Sequence, residues 1–278
     1  MADKNFTHLL LTRFNLDFSP YTHTPYLCDD QWHQDRFKLF NRYCLPSVIN
    51  QTTQNFEWII FFNEEKRELY TSFIRETEKA LKNVRFLFVK PEEDHRQRLV
   101  HYIKRKYSSD YLITTRIDND DCISSHFMES IQEKFMERRD AFDHEYVLNA
   151  GTGYQYEVKF PFRKALIKDY TYSPFLSLFS KLKGCDEINT VLKHAHHRWE
   201  EYETSEEMPD HPYWTQIIHE KNVSNRILSL NLYVHISDKH FPVLIDTPRN
   251  QWWFGLLLLP VQITMTVIKR IAEKIKHH

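Results

Sequence analysis

The chain has 278 residues and is 41% hydrophobic and 27% charged, a globular composition with enough apolar material for one large domain or two closely joined lobes. Its 37 Lys and Arg against 38 Asp and Glu leave a formal charge of −1, unlike the basic chains that bind nucleic acid. Four glycines stand where average usage would give roughly nineteen. That scarcity excludes a P-loop or a G-x-G-x-x-G turn, so any phosphate must be held by side chains and cations.

Leu9 to Leu11 make a continuous apolar run too short for a signal-peptide core, and residues 7–12 read as a first strand. A helix over 32–43 follows, with Trp32, Leu39, Phe40 and Tyr43 on one side. Residues 56–62 predict a buried strand and 64–82 a helix with Leu69, Phe73, Ala80 and Leu81 inward. Then come a strand over 84–89, a basic-faced helix over 93–107 and a strand over 111–117. This alternation predicts an α/β fold with a mostly parallel sheet covered on both faces. After Ala150 the pattern loosens: a half-exposed strand over 154–160, an acidic loop over 200–210, a short helix over 213–221 and a late strand over 227–236.

A soft boundary falls near residue 150, with 151–245 as the second half of the same domain and 246–278 as a tail. In the tail, 252–268 is apolar but broken by Pro260, Gln262, Thr264 and Thr266, short of the ~20 residues that span a bilayer. Lys269, Arg270, Lys274 and Lys276, with Ile268, Ile271 and Ile275, form a basic amphipathic pattern suited to an anionic membrane surface or to docking on the body of the protein. Cys28, Cys44, Cys122 and Cys185 are scattered and read as reduced thiols. The expectation is a cytoplasmic chain, with peripheral contact to the inner membrane face through the tail.

In open α/β sheets ligands sit at the carboxyl ends of the strands. Those ends carry Thr12-Arg13-Phe14, Asn63-Glu64-Glu65 and Asp118-Asn119-Asp120-Asp121. On an extended backbone Asp118 and Asp120 point the same way. At about 7 Å they repel by roughly 2 kcal/mol at an effective dielectric of 20. A divalent cation, Mn²⁺ or Mg²⁺, relieves that crowding; a solvated acidic turn with Asp118 capping the next helix is the structural alternative. Arg13 and Arg116 lie near the same edge and offer guanidinium contacts to phosphate or to a base edge, or plain surface salt bridges. Asp210 is a candidate base, although Asp ahead of Pro212 is also a good helix cap. His194, His196 and His197 read as an exposed face rather than a zinc site, and the basic run 96–106 as a solvated one.

Several segments carry a resemblance. Leu45-Pro46-Ser47 through Gln51-Thr52, then Asn55-Phe56-Glu57-Trp58-Ile59-Ile60, resemble a segment of nucleotide-sugar glycosyltransferases with the GT-A fold. Together with Leu10 to Asn15, Arg36-Phe37, Thr114 to Asp121 and Trp214 to Asn225, they are similar to the bacterial rhamnosyltransferase family over roughly residues 6–230. The resemblance implies a GT-A-like, Rossmann-type mixed sheet, a nucleotide-diphosphate-sugar donor and a divalent metal at Asp118 and Asp120. His219 would complete the metal shell, and Asp118 would also touch the donor. Where many such enzymes have a base-contacting aspartate, this chain has Asn63. The expected activity is transfer of a sugar, rhamnose by family analogy, to a surface glycan or lipid-linked acceptor, with Asp210 as base. A nucleotidyltransferase and a non-catalytic, membrane-associated protein of the same fold are the alternatives.

Overall fold

The computed structural model describes residues 5–16, 30–138, 145–159, 162–202, 205–220, 222, 227, 234–237, 239–244, 260 and 264. The first apolar run forms β1 (Phe6–Arg13). The helix that follows is longer than its sequence pattern: α1 (Asp30–Leu39) runs through a π turn at Phe40–Cys44 into α2 (Leu45–Ile49). The wider turn brings Phe40, Tyr43 and Cys44 into the core just before Pro46, which cannot donate a backbone hydrogen bond. β2 (Glu57–Asn63), a 3₁₀ segment (Glu64–Tyr70), α3 (Thr71–Ala80), β3 (Val84–Val89), α4 (His95–Lys106) and β4 (Tyr111–Arg116) complete the alternating half. Then follow β5 (Cys122–Ile123), α5 (Phe127–Arg138), β6 (Tyr146–Asn149), β7 (Gly153–Glu157), β8 (Lys164–Ile167) and β9 (Ser177–Lys181). A 3₁₀ turn (His196–Glu201), β10 (Ser205–Glu207) and β11 (Trp214–Ile218) close the described body, with a last 3₁₀ turn at Pro242–Leu244.

The large sheet has seven strands in the order β10-β6-β9-β4-β1-β2-β3. Its β3-β2-β1-β4 half is parallel, the order of a Rossmann-type half, and β9 is antiparallel to both β4 and β6. Alternate residues of the parallel strands feed opposite faces. Leu10, Phe14, Trp58, Ile60 and Phe62 pack on one side with Phe40 and Phe73, while Leu9, Leu11, Ile59 and Phe61 pack on the other with Leu99, Ile103 and Trp199. Covering both faces is why these strands read as continuous apolar runs. The sheet takes strands from both sides of residue 150, so the two halves share one framework. The mixed α/β sheet flanked by helices is the architecture expected from the sequence.

Three local expectations need correction. Residues 214–218 form β11, parallel to β7 and antiparallel to β5 in a second, four-stranded sheet, instead of a helix. All five residues are buried, so Trp, Thr and Ile pack on both faces of that sheet, where β-branched and aromatic side chains fit best. The acidic stretch 200–210 contains the edge strand β10, parallel to β6. Within 227–236, Ile227 and 234–236 are not in a strand, and the rest lies outside the described residues. The tail from 246 also lies outside them, except Pro260 and Thr264. Among the described residues no helix is long and apolar enough to cross a membrane. Cys44 and Cys122 are buried free thiols and Cys185 is an exposed one.

Candidate active site

The segment that leads out of the turn after β4 is held by the helix that faces it. Ser47 Oγ accepts from the Ile123 amide (3.3 Å). Gln51 donates to the Ser124 carbonyl (2.7 Å) and accepts from the Met128 amide (3.0 Å). Asn119, itself buried, donates to the Phe14 carbonyl (2.7 Å) and ties the turn to the end of β1. Ser47 and Gln51 thus hold β5 and the start of α5 directly after the acidic turn, while Asn119 tethers the turn itself at the carboxyl edge of β1.

The three aspartates have three different environments. Asp118 keeps its side chain 41% exposed and accepts from Arg116 Nη2 at 3.1 Å. Asp120 is buried, and its Oδ2 receives Arg36 Nη1 at 2.5 Å, His219 Nε2 at 2.8 Å and Asn222 Nδ2 at 3.3 Å. Burial pushes the Asp120 carboxyl up, but the Arg36 charge and the His219 hydrogen bond outweigh it and hold it below the usual range. Asp121 is fully buried and accepts from the Ile217 amide at 2.9 Å, while its Oδ2 has no hydrogen-bond partner among the described residues. Burial, then the charges of Asp120 and Asp118, raise its carboxyl well above normal, and its hydrogen bond to the Ile217 amide ties β11 to the turn.

Arg36 also donates to Asn119 Oδ1 (3.0 Å) and lies 5.0 Å from the centre of the Trp32 ring. Its positive charge sits where the sequence calls for a cation. A dication about 4 Å from that guanidinium would be repelled by roughly 8 kcal/mol at an effective dielectric of 20. Asp118 is turned to Arg116, and among the described residues no three His, Cys, Asp or Glu side chains converge as a metal-ligand set. In this arrangement the Asp118–Asp120–His219 set does not fit Mn²⁺ or Mg²⁺: Asp120 and His219 meet, but around a guanidinium.

The other sequence candidates fall as follows. Arg13 ends β1, half-buried, and its charge acts on His95, whose pKa falls to about 4 mainly through burial. Asn63 ends β2 and caps the next turn, accepting from the Glu65 amide at 2.8 Å, while its own amide donates to Asn15 Oδ1 at 2.9 Å. Arg116 is buried at the end of β4. Asp210 is exposed and paired with Lys168 (2.6 Å) and Thr152 (3.0 Å), contacts that lower its pKa. His219 follows the end of strand β11 instead of riding a helix.

Three residues of this edge escaped the sequence reading. Arg36 stood in the family-like segment without a role. His196, read as part of an exposed face, donates through Nδ1 to the Tyr172 carbonyl (2.7 Å); burial, then the Arg116 charge, lowers its pKa to about 4. Glu207, hidden in an acidic stretch, ends β10 beside Asn149. The two close glycines serve packing: a Cβ at Gly153 would lie 2.1 Å from the Trp214 ring and one at Gly151 2.7 Å from Glu207 Oε2.

No curated protein matches the chain. Among solved structures, S. aureus TarS 1–349 in complex with UDP-GlcNAc is 12% identical, with a TM-score of 0.46 over 81% of this chain and 62% of that one. The same TarS fragment in complex with UDP is 15% identical, with a TM-score of 0.44 over 77% of this chain and 60% of that one. The chain therefore spans about three-fifths of those structures. Residues 8–230 match the family model described as "Putative rhamnosyl transferase". That match takes in both sheets but for the first two residues of β1, and every residue of the edge just described; with most of its length inside it the chain belongs to the rhamnosyl transferase family of glycosyltransferases.

Proposed function

We propose that this chain moves a sugar, rhamnose in keeping with the family's description, from a nucleotide-diphosphate donor to a hydroxyl of a surface glycan or lipid-linked acceptor. The observation that carries this reading is the clamped Asp118–Asp121 turn with Arg116 buried beside it, at the carboxyl edge of the parallel strands. Guanidinium groups are planar, permanently charged donors suited to phosphate oxygens. Arg116, Arg36 and Arg13 bring positive charge toward the place where the diphosphate leaving group develops its own. Asp118, the exposed acid of the turn, orients the donor through its hydroxyl groups. No step of this reading passes through a metal ion. A carboxylate from the second half receives the proton of the acceptor hydroxyl as the glycosidic bond forms.

The test is the identity of the released nucleotide. Full-length protein incubated with UDP-, GDP- and dTDP-linked sugars, dTDP-rhamnose among them, is expected to release the nucleoside diphosphate. Release of pyrophosphate would mark a nucleotidyltransferase, and absence of any turnover a non-catalytic protein of this fold. A membrane partner is proposed only for the tail, through its basic amphipathic pattern; vesicle co-sedimentation of the full chain against one truncated at residue 245 tests it.

A further inference from the structure

Glu207 is the last residue of edge strand β10, where it pairs in register with Asn149 of β6. Leu148, the residue before Asn149, lies in register with Ser177, which in turn faces Thr115 of β4. Glu207 therefore stands one residue beyond the Thr115 row on the same carboxyl edge as Asp118, three strands away. At about 4.8 Å per strand the gap is about 14 Å, room for a sugar ring between the diphosphate site and this carboxylate.

The floor of that gap is a constrained loop. Asp169 and Tyr172 both adopt left-handed backbone (φ 53° and 49°), a costly conformation for side chains of this kind. Asn149, fully buried, pins the loop by donating to the Tyr170 carbonyl (2.8 Å) and accepting from the Ser173 amide (2.9 Å). Its Nδ2 also donates to both oxygens of Glu207, at 2.8 and 2.9 Å. His196 holds the same loop from the other side through the Tyr172 carbonyl. Gly151 leaves the space that Glu207 Oε2 occupies. One buried amide thus positions both an exposed carboxylate and a strained loop whose Tyr170 feels the charge of Arg116.

We infer that Glu207 is the base of the transfer reaction, receiving the acceptor's hydroxyl proton from its place beside Asn149 and Gly151; the inference rests on the glycosyl-transfer reading above. In the step, the acceptor oxygen forms a bond to the anomeric carbon and its proton passes to a Glu207 oxygen. The bond from that carbon to the phosphate oxygen breaks, and its electron pair leaves with the nucleoside diphosphate. The Glu207 carboxyl is raised above the usual range by partial burial and by the charge of Asp169, against the Asn149 hydrogen bond, which suits a group that must accept a proton. Asp210, the other carboxylate nearby, is held below its usual range by Lys168 and Thr152 and makes the weaker acceptor.

The experiment compares full-length wild type, Glu207→Gln and Asp210→Asn for release of nucleoside diphosphate from the same donor panel, with water or a cell-envelope extract as acceptor. Thermal shift with UDP, GDP and dTDP is recorded alongside. The expected result is a fall in kcat of about 100-fold or more in Glu207→Gln, with nucleotide-induced shifts preserved and the acid limb of the wild-type pH profile abolished. Undiminished turnover in Glu207→Gln overturns the inference, as does a large loss confined to Asp210→Asn. Loss of nucleotide binding in Glu207→Gln overturns it too, since the residue would then serve the donor. If wild type turns over no donor, the glycosyl-transfer reading itself fails and this one with it.

Discussion

Arg36 Nη1 sits 2.5 Å from Asp120 Oδ2, and both side chains are almost wholly removed from solvent, 10% and 6% exposed. A buried pair of this kind adds modest net stability, but removing one partner strands the other charge. Arg36→Ala is therefore expected to cost about 3–5 kcal/mol in chemical denaturation, and Arg36→Lys to recover only part of it, because a strongly hydrated ammonium is costlier to bury than the guanidinium and lacks its planar contact with Trp32. A cost within 1 kcal/mol for Arg36→Ala would show that Asp120 is compensated by something else.

The same pair governs the response to metal. With Asp120 facing a guanidinium and Asp118 facing Arg116, Mn²⁺ or Mg²⁺ without nucleotide is expected to leave the melting temperature of the full chain unchanged, and EDTA likewise. A clear upward shift with Mn²⁺ alone, abolished in Asp120→Ala, would mean that Arg36 yields its place to the ion.

His8 supplies a pH signature away from the site. It is buried, bonded to Thr115 (2.9 Å) and Gln132 (3.2 Å), and burial lowers its pKa to about 3. The folded chain keeps this ring neutral while the unfolded chain protonates it near pH 6.5. Stability from this group is thus complete above about pH 6.5 and is lost as pH falls toward 3, at up to roughly 1.4 kcal/mol per pH unit. Denaturation midpoints of wild type and His8→Gln should diverge at neutral pH and converge on acidification.

Gly153 tests the packing role of the glycine pair. A methyl group there would meet the Trp214 ring, which is stacked on Phe175 at 4.8 Å and anchored by its indole N–H to the Ala150 carbonyl at 2.7 Å. Gly153→Ala is expected to destabilise by at least about 1–3 kcal/mol, since the indole has no free direction in which to move. At Gly151 a methyl group would clash only with Glu207 Oε2, the end of a side chain that can turn away, and would touch Asn149 and Tyr170 at ordinary contact distance, so Gly151→Ala should cost little stability while displacing Glu207 and lowering turnover.

The parallel half of the fold was legible because its strands are buried on both faces and separated by amphipathic helices, so each element announces its own period. Asp118 to Asp121 stood out because carboxylates two apart on an extended backbone point the same way and repel. The second half hid its organisation. Trp214 to Ile218 fits either a helix or a strand as a short apolar run, and only its neighbours β5 and β7 decide between them. Glu207 looked like part of an acidic loop because three-residue β10 is an edge strand with partly exposed side chains. The pairing of Arg36 with Asp120 joins residues 84 positions apart, and no local pattern encodes a contact of that range.

The most direct measurement is a crystal structure of the full chain with UDP, GDP or dTDP bound. The diphosphate is expected at the carboxyl edge of β1 and β4, within hydrogen-bond reach of Arg116 or Arg36 and on the Asp118 side of the gap that ends at Glu207. A nucleotide seated away from that edge, with Asp118 and both arginines untouched, would contradict the account.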